Sequence, residues 1–338
     1  MVRLYAQWID AWERKLSGRD FNRTVRPFDW GLEWLGGPGS ADDPSGYLKD
    51  YVRRSVQRSD EFFSYQSPAD FVIEGGHLTF TSPLLSFHPE NDRVHADFFP
   101  AARDRGRAVV VLPQWNAGAS GHVALCRMLN RFGVTALRMS MAYHDRRMPP
   151  ELQRADHHVS SNLGRTIHAC RQSAIDARCC LDWLESQGYR SLGILGTSLG
   201  SCIAFIVAAH DARLRAGVYN HVSMHFGDVV WTGLATRHVR EGFGEALTQD
   251  ELREYWRVIS PATYVGRMAG RDTRNLLIWA RHDTTFRPEY SKQFIASMFS
   301  TGCRTRSVCL PCAHYTLGEF PFNLMDGFLM CGFLSRNL

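Results

Sequence analysis

From about residue 70 onward, short, largely apolar runs alternate with longer segments in which apolar residues recur every three or four positions. The runs Ala108–Leu112, Val134–Met139, Leu192–Leu195, Leu214–Tyr219, Leu276–Ala280 and Arg306–Leu310 read as strands of the kind buried on both faces of a parallel sheet. Between them the spacing predicts helices over about 120–131, 160–187, 201–209 and 288–299. The second of these carries Leu163, Ile167, Cys170, Ala174, Ala177, Leu181 and Leu184 on one face, and an apolar helix beginning at Phe322 closes the chain. Phe71–Ile73, Leu78–Thr81 and Val94–Phe99 read as earlier strands, antiparallel in character. Strands alternating with helices in this way predict an α/β fold, a mostly parallel sheet covered on both faces, with ligands outside the carboxyl ends of the strands.

Two segments break the alternation. Residues 1–70 read as an N-terminal extension packed on the core, followed by the main domain over 71–338. Within the extension, residues 2–16 form an amphipathic helix with Tyr5, Trp8, Trp12 and Leu16 on one stripe, suited to clamp onto the main body. The alternative for that stripe is a dimer or membrane-surface helix. Residues 26–50 read as an irregular wrap anchored by Phe28, Trp30 and Trp34. Residues 221–265 place two helices where one crossover would suffice. The first, about 228–240, carries Val229, Val230 and Leu234; the second starts at a capping box, Thr248 to Glu251, and carries Leu252, Tyr255, Trp256 and Ile259. This insertion is expected to cap the site, with Trp231 and Trp256 in the substrate pocket; the alternative is a decorated crossover without substrate contact.

Composition narrows the class. The chain has 338 residues, 44% hydrophobic and 22% charged, which suits an ordinary globular protein. Its net charge of +5 is nearly all arginine, the only lysines being Lys15, Lys49 and Lys292. The arginines are scattered, and no basic run forms a nucleic-acid footprint. No uncharged stretch approaches the ~20 residues of a membrane span, and the N-terminus lacks the apolar core of a signal peptide. The nine cysteines are an odd number and lie mostly in predicted helices and strands, which points to free thiols and a reducing cytoplasm.

Chemistry concentrates at Gly196-Thr197-Ser198-Leu199-Gly200. The bare G-x-S-x-G is weak evidence in a chain with 28 glycines. Here it sits between an apolar strand and a small-residue helix, the context of a nucleophile elbow. A serine hydroxyl needs a base to take its proton, and the base needs a carboxylate to fix its tautomer. Asp283 directly follows the strand Leu276–Ala280, and His314 follows the last strand. Among 14 histidines His314 is the only one beyond position 282. His282 points the other way and is structural; Asp228, after an earlier strand, is the reserve acid. The oxyanion needs two oriented N–H donors. Leu199, next to the nucleophile, is one; Trp115, in the loop after Ala108–Leu112, is the choice for the second, with Gln114 and Asn116 able to supply it instead.

These residues resemble the α/β-hydrolase superfamily over roughly residues 70–338: elbow, strand-end acid and terminal histidine all match. The resemblance implies an eight-stranded sheet and a serine esterase or lipase type of site. Two features depart from it. Pro113-Gln114 replaces the usual His-Gly pair of the oxyanion loop, and the first 70 residues lie outside the common fold. Pro113-Gln114-Trp115-Asn116 and Tyr143-His144-Asp145-Arg146-Arg147 also resemble an abhydrolase-domain-eighteen-like branch, and the whole resembles dienelactone hydrolases and acetyl-xylan esterases. Dienelactone hydrolases use cysteine, and position 198 is serine, so that activity is not implied.

The expectation is a serine hydrolase acting on a small-molecule ester or acyl substrate, with Ser198, His314 and Asp283 as the triad and no metal or organic cofactor. Peptidase, thioesterase and lipid deacylase ask for the same site, and a non-catalytic binding protein of this fold is the rival from another class. His144 is a further pocket candidate; with Asp145 and Arg146 it follows a strand and either faces the site or forms a structural loop ion pair. Cys309-Leu-Pro-Cys312 has the spacing of a redox or metal motif but lies at a strand end, where no thiolate is stabilised. Asp156, His157 and His158 could hold a metal only if adjacent side chains converged, which a loop disfavours.

Overall fold

The computed structural model describes residues 2–20, 22–39 and 41–338. Its centre is a nine-stranded sheet in the order β1-β2-β3-β5-β4-β6-β7-β8-β9. The strands are β1 (Val72–Glu74), β2 (His77–Thr81), β3 (Arg93–Phe99), β4 (Arg107–Leu112), β5 (Thr135–Met139), β6 (Ser191–Thr197), β7 (Leu214–Asn220), β8 (Arg274–Ala280) and β9 (Thr305–Leu310). From β1 through β3 to β5 the pairing is antiparallel. From β5 through β4 to β9 it is parallel, with Val110 opposite both Leu137 and Ile194. The count exceeds the eight implied by the family resemblance because β1, a three-residue edge strand, folds back on β2 and stays exposed.

Helix α1 (Val2–Ser17) is followed by α2 (Pro44–Gln57) and the single turns α3 (Ser59–Phe62) and α4 (Pro89–Asp92). The crossovers are α5 (Val123–Arg131), α6 (Leu163–Ser186) and α7 (Leu199–His210). Then come α8 (Phe226–Thr232), α9 (Arg237–Phe243), α10 (Gln249–Tyr255), α11 (Pro288–Ser300) and α12 (Phe322–Asn337). Strand alternation sorts the two cores. Val109, Val111, Leu195, Val218 and Ile278 turn toward α1, α5 and α12. Ala108, Val110, Leu112, Ile194 and Leu277 turn toward α6, α7, α8 and α10. Both faces are therefore covered, which is why the central strands read as continuous apolar runs.

Local chemistry sets the element ends. Asn162 caps α6, its side chain accepting from the Arg165 N–H at 2.8 Å. The predicted 120–131 helix begins only at Val123, because His122 takes a left-handed backbone (φ 65°) that cannot continue a helix. The predicted 228–240 helix is two helices, α8 and α9, parted at Gly233, where a Cβ would come within 2.5 Å of the Val229 carbonyl oxygen. The capping box at Thr248 is formed, with the Glu251 carboxylate accepting from the Thr248 N–H at 2.8 Å.

Within the N-terminal segment, α1 packs on the α12 side of the sheet. Its inward face runs through Ile9, Glu13 and Leu16 rather than through the whole aromatic stripe, and Trp8 is 53% exposed. Tyr5 reaches the ring of His282 and Trp12 that of Phe322. A backbone bridge from Asp29 to Asn162 ties the irregular wrap to the start of α6.

Candidate active site

The site is built on the turn between β6 and α7. Ser198 sits at its tip with φ 56° and ψ −119°, a conformation that non-glycine residues rarely adopt. The turn is that tight because its flanks are in contact. A Cβ at Gly196 would lie 2.1 Å from the Gly200 carbonyl oxygen, and one at Gly200 would lie 2.2 Å from that of Leu112. The Ser198 N–H donates to the Asn220 carbonyl at 2.8 Å, which fixes the tip against the end of β7.

His314, in the loop after β9, holds its Nε2 3.3 Å from Ser198 Oγ and its Nδ1 3.3 Å from Asp283 Oδ2. Asp283, in the loop after β8, is buried, and its Oδ1 accepts from the backbone N–H groups of Thr285 (2.8 Å) and Phe286 (2.7 Å). The Phe286 ring stacks on the imidazole of His314 at 5.5 Å. Burial opposes charge on His314, but the Asp283 carboxylate and its hydrogen bond, with Glu13 behind it, outweigh burial and raise its pKa above the ordinary 6.5. Burial likewise opposes charge on Asp283, and the imidazoles of His314 and His221 hold it well below the usual carboxylate range.

His221 was not anticipated from the sequence. It lies just beyond β7, buried, with φ 58°, and its Nδ1 is 2.6 Å from the same Asp283 Oδ2. The contact helps hold the Asp283 carboxyl low. The signal that could have found it is its place at the carboxyl end of a central strand.

A cavity of about 590 Å³ opens over Ser198 and His314. One wall is apolar and comes from the 221–265 segment and its neighbours: Phe226, Val229, Val230, Ala235 and Phe286. The other comes from α5 and α12, with Leu125, Met128, Leu324 and Met330. Deep in that wall Asp326 accepts from the Asn220 amide at 2.7 Å, and burial pushes its carboxyl pKa up to about 7.

The predicted site residues divide. Ser198, Leu199, His314, Trp115, Gln114 and Asn116 line the cavity, and Asp283 stands behind His314. Trp115 is held from three sides: its indole N–H donates to the Ala155 carbonyl at 2.9 Å, Arg154 lies over its ring, and the ring of His238 stacks on it. Asn116, at φ 60°, accepts from the Ala155 N–H at 3.1 Å. Leu199 begins α7, so its N–H has no intrahelical acceptor.

His144, Trp231 and Trp256 do not line the cavity. His144 turns inward and bonds the Ala142 carbonyl through Nδ1 at 2.8 Å, while Asp145 and Arg146 pair with Arg138 and Asp97 as loop ion pairs. Trp231 faces a separate crevice under the guanidinium of Arg240. Trp256 is buried against Phe226 and Phe243, donating to the Leu163 carbonyl at 3.2 Å. The reserve acid Asp228 is taken by Arg253 and Gln249, both at 2.9 Å, and joins α8 to α10.

Among the described residues, two groups bring metal-ligating atoms within 4.8 Å of one another: His221 with Asp283 and His314, and His88 with Glu151 and His157. Asp156 instead pairs with Arg26 and Arg154. All nine cysteines are free, and burial raises the Cys312 thiol far above its ordinary pKa, the reverse of a reactive thiolate. No described helix is long and apolar enough to cross a membrane.

No protein-family model matches the sequence, and no curated protein matches it as a relative. Solved structures match its shape. Acetyl xylan esterase 1 from Thermoanaerobacterium sp. JW/SL YS485 is 16% identical over 96% of this chain and 98% of its own, with a TM-score of 0.56. The Pyrococcus horikoshii acylaminoacyl peptidase is 14% identical over 79% of this chain, with a TM-score of 0.59; the match spans 42% of the peptidase. Est1E from Butyrivibrio proteoclasticus, solved with ferulic acid, is 13% identical over 75% of this chain and 99% of its own, with a TM-score of 0.53. At these identities the likeness is one of fold.

Proposed function

We propose that this chain, which has the α/β-hydrolase fold, is a serine hydrolase that cleaves carboxylic esters through an acyl-enzyme. The observation that carries this reading is the line Ser198 Oγ, His314, Asp283, with 3.3 Å at each step, at the floor of a cavity with apolar walls. Ser198 Oγ attacks the ester carbonyl carbon while His314 Nε2 takes the hydroxyl proton, and Asp283 steadies the imidazolium that forms. The negative charge moves to the carbonyl oxygen, where the N–H groups of Leu199 and Trp115 receive it. His314 then gives its proton to the leaving alkoxide oxygen as that bond breaks. Water repeats the sequence in reverse: His314 takes a water proton, the hydroxide attacks the acyl carbon, and Ser198 leaves with the proton restored.

The apolar walls favour an apolar acyl group over a sugar acetate, and the free cysteines fit a reducing, cytoplasmic setting. The 221–265 segment serves as the cap, through Phe226, Val229 and Val230. Fluorophosphonate labelling tests the reading. Wild type should label stoichiometrically at Ser198, and Ser198→Ala should lose both label and about four to six decades of kcat on p-nitrophenyl esters. An unlabelled wild type would instead support a binding protein.

A further inference from the structure

Glu13 is a carboxylate with no exposed surface, on a helix that the common fold does not require. Burying such a group is costly unless its oxygens are satisfied. Those oxygens divide between two loops. Oε1 accepts from the Thr284 hydroxyl at 2.9 Å, and Oε2 accepts from the backbone N–H groups of Tyr315 (2.9 Å) and Thr316 (3.1 Å). Thr284 follows Asp283 in the chain, and Tyr315 follows His314.

We propose that Glu13 is a positioning residue for the reaction, a strut from the N-terminal segment that sets the spacing between the acid loop and the histidine loop. This rests on the hydrolase reading above. The two loops follow different strands; a backbone bond from the His282 N–H to the Cys312 carbonyl at 2.9 Å joins their bases, and beyond it the two side chains meet through a long hydrogen bond, His314 to Asp283, at 3.3 Å. A link of that length holds the imidazole loosely; a buried carboxylate bonded to the Thr284 hydroxyl on one loop and to the Tyr315 and Thr316 N–H groups on the other adds a second tie. The rest of the segment keeps the strut in place. Tyr5 donates to the Pro311 carbonyl, Arg23 donates to the Tyr315 hydroxyl at 2.8 Å and to Ser17 Oγ at 3.2 Å, and Ile9 is buried beneath α1.

Glu13 also contributes charge. The titratable groups facing His314 are Asp283 from the β8 loop, His221 from the β7 loop, Glu13 from α1 and the adjoining Tyr315. Burial pushes the Glu13 carboxyl above its ordinary range, while His314, Thr284 and Thr316 work against that. Its negative form favours the imidazolium that His314 becomes in the transition state.

The test measures the second-order rate of fluorophosphonate labelling against pH in the full-length wild type, Glu13→Gln and Glu13→Ala, with Tm and p-nitrophenyl ester kinetics alongside. Glu13→Ala is expected to lower the labelling rate and kcat by about tenfold or more, with KM within about twofold of wild type. Glu13→Gln keeps an acceptor oxygen and should recover part of the rate. Its acid limb should move to lower pH, because without the charge the imidazolium gives up its proton more readily. Labelling of Glu13→Ala at the wild-type rate, or an unmoved acid limb in Glu13→Gln, would overturn the proposal while the hydrolase reading stands. A wild type that takes no label overturns the hydrolase reading itself.

Discussion

Asp283 serves two imidazoles, and that sharing shapes the pH behaviour expected of the site. In the proposed reaction His314 must be neutral to accept the Ser198 proton, and its pKa is raised. Activity should therefore rise with pH through a midpoint above 6.5, the ordinary value. Burial lowers the pKa of His221, while the Asp283 carboxylate works against that. Replacing it by Asn, which tolerates the left-handed backbone, removes a group that helps hold Asp283 low and leaves more of the carboxylate's pull on His314. The acid limb of kcat/KM should then shift upward in His221→Asn, with kcat down by about tenfold. A pH–rate profile decides it, and an unmoved limb would leave His221 as packing alone. The placement of Ser198, Asp283 and His314 after strands was legible from sequence because each follows a strand that its own apolar run identifies. His221 was not, since a histidine next to Asn220 carries no sign of which distant carboxylate it will meet.

Among the elements, the contact between β4 and α7 decides whether the elbow can exist. Gly200 lets the first turn of α7 rest on the Leu112 and Pro113 carbonyls, where a Cβ would lie 2.2 and 2.5 Å from the oxygens. Gly200→Ala must push the helix off β4 or distort the turn, at a cost of about 1–3 kcal/mol. Denaturant unfolding should register that loss, and the displaced Ser198 should label more slowly with fluorophosphonate. The insertion illustrates the opposite case. Periodicity and the Thr248–Glu251 box predicted two helices, of which the first is split into α8 and α9, and Trp256 and Trp231 were expected to face the substrate. Aromatic residues at helical spacing mark an apolar face without saying what covers it. Trp256 is covered by Phe226 and Phe243, and Trp231 by Arg240, so the cavity wall falls to the smaller Val229 and Val230.

At the scale of the whole molecule, the long loop between β5 and α6 is secured by a buried ion pair. Arg147 Nη2 lies 2.8 Å from Asp176 Oδ2, both side chains without exposure, and its other nitrogens donate to the carbonyls of Asn91 (2.8 Å) and Ser140 (3.1 Å). Arg147→Ala would strand the Asp176 charge inside and should cost about 3–5 kcal/mol, read as a lower denaturation midpoint. That loop reaches the cavity through Ala155, which holds both Trp115 and Asn116, so under the proposed mechanism the same variant should also lower kcat. The N-terminal segment joins the two sides: it touches the histidine loop through Tyr5 and Arg23 and pairs with the β5–α6 loop through Asp20 to Arg154 and Asn22 to Gln153.

The order of strands and helices, the elbow, and the loops bearing Asp283 and His314 were determined by the sequence alone. Each is a local signature: an apolar run, a helical period, a glycine where backbones must touch. Tertiary structure decided which side chains meet across elements. The second imidazole on Asp283, the Glu13 strut, the inward turn of His144 and the burial of Trp256 follow from where helices cross the sheet. Spacing along the chain does not encode those crossings, because they are set by how two cores fill at once.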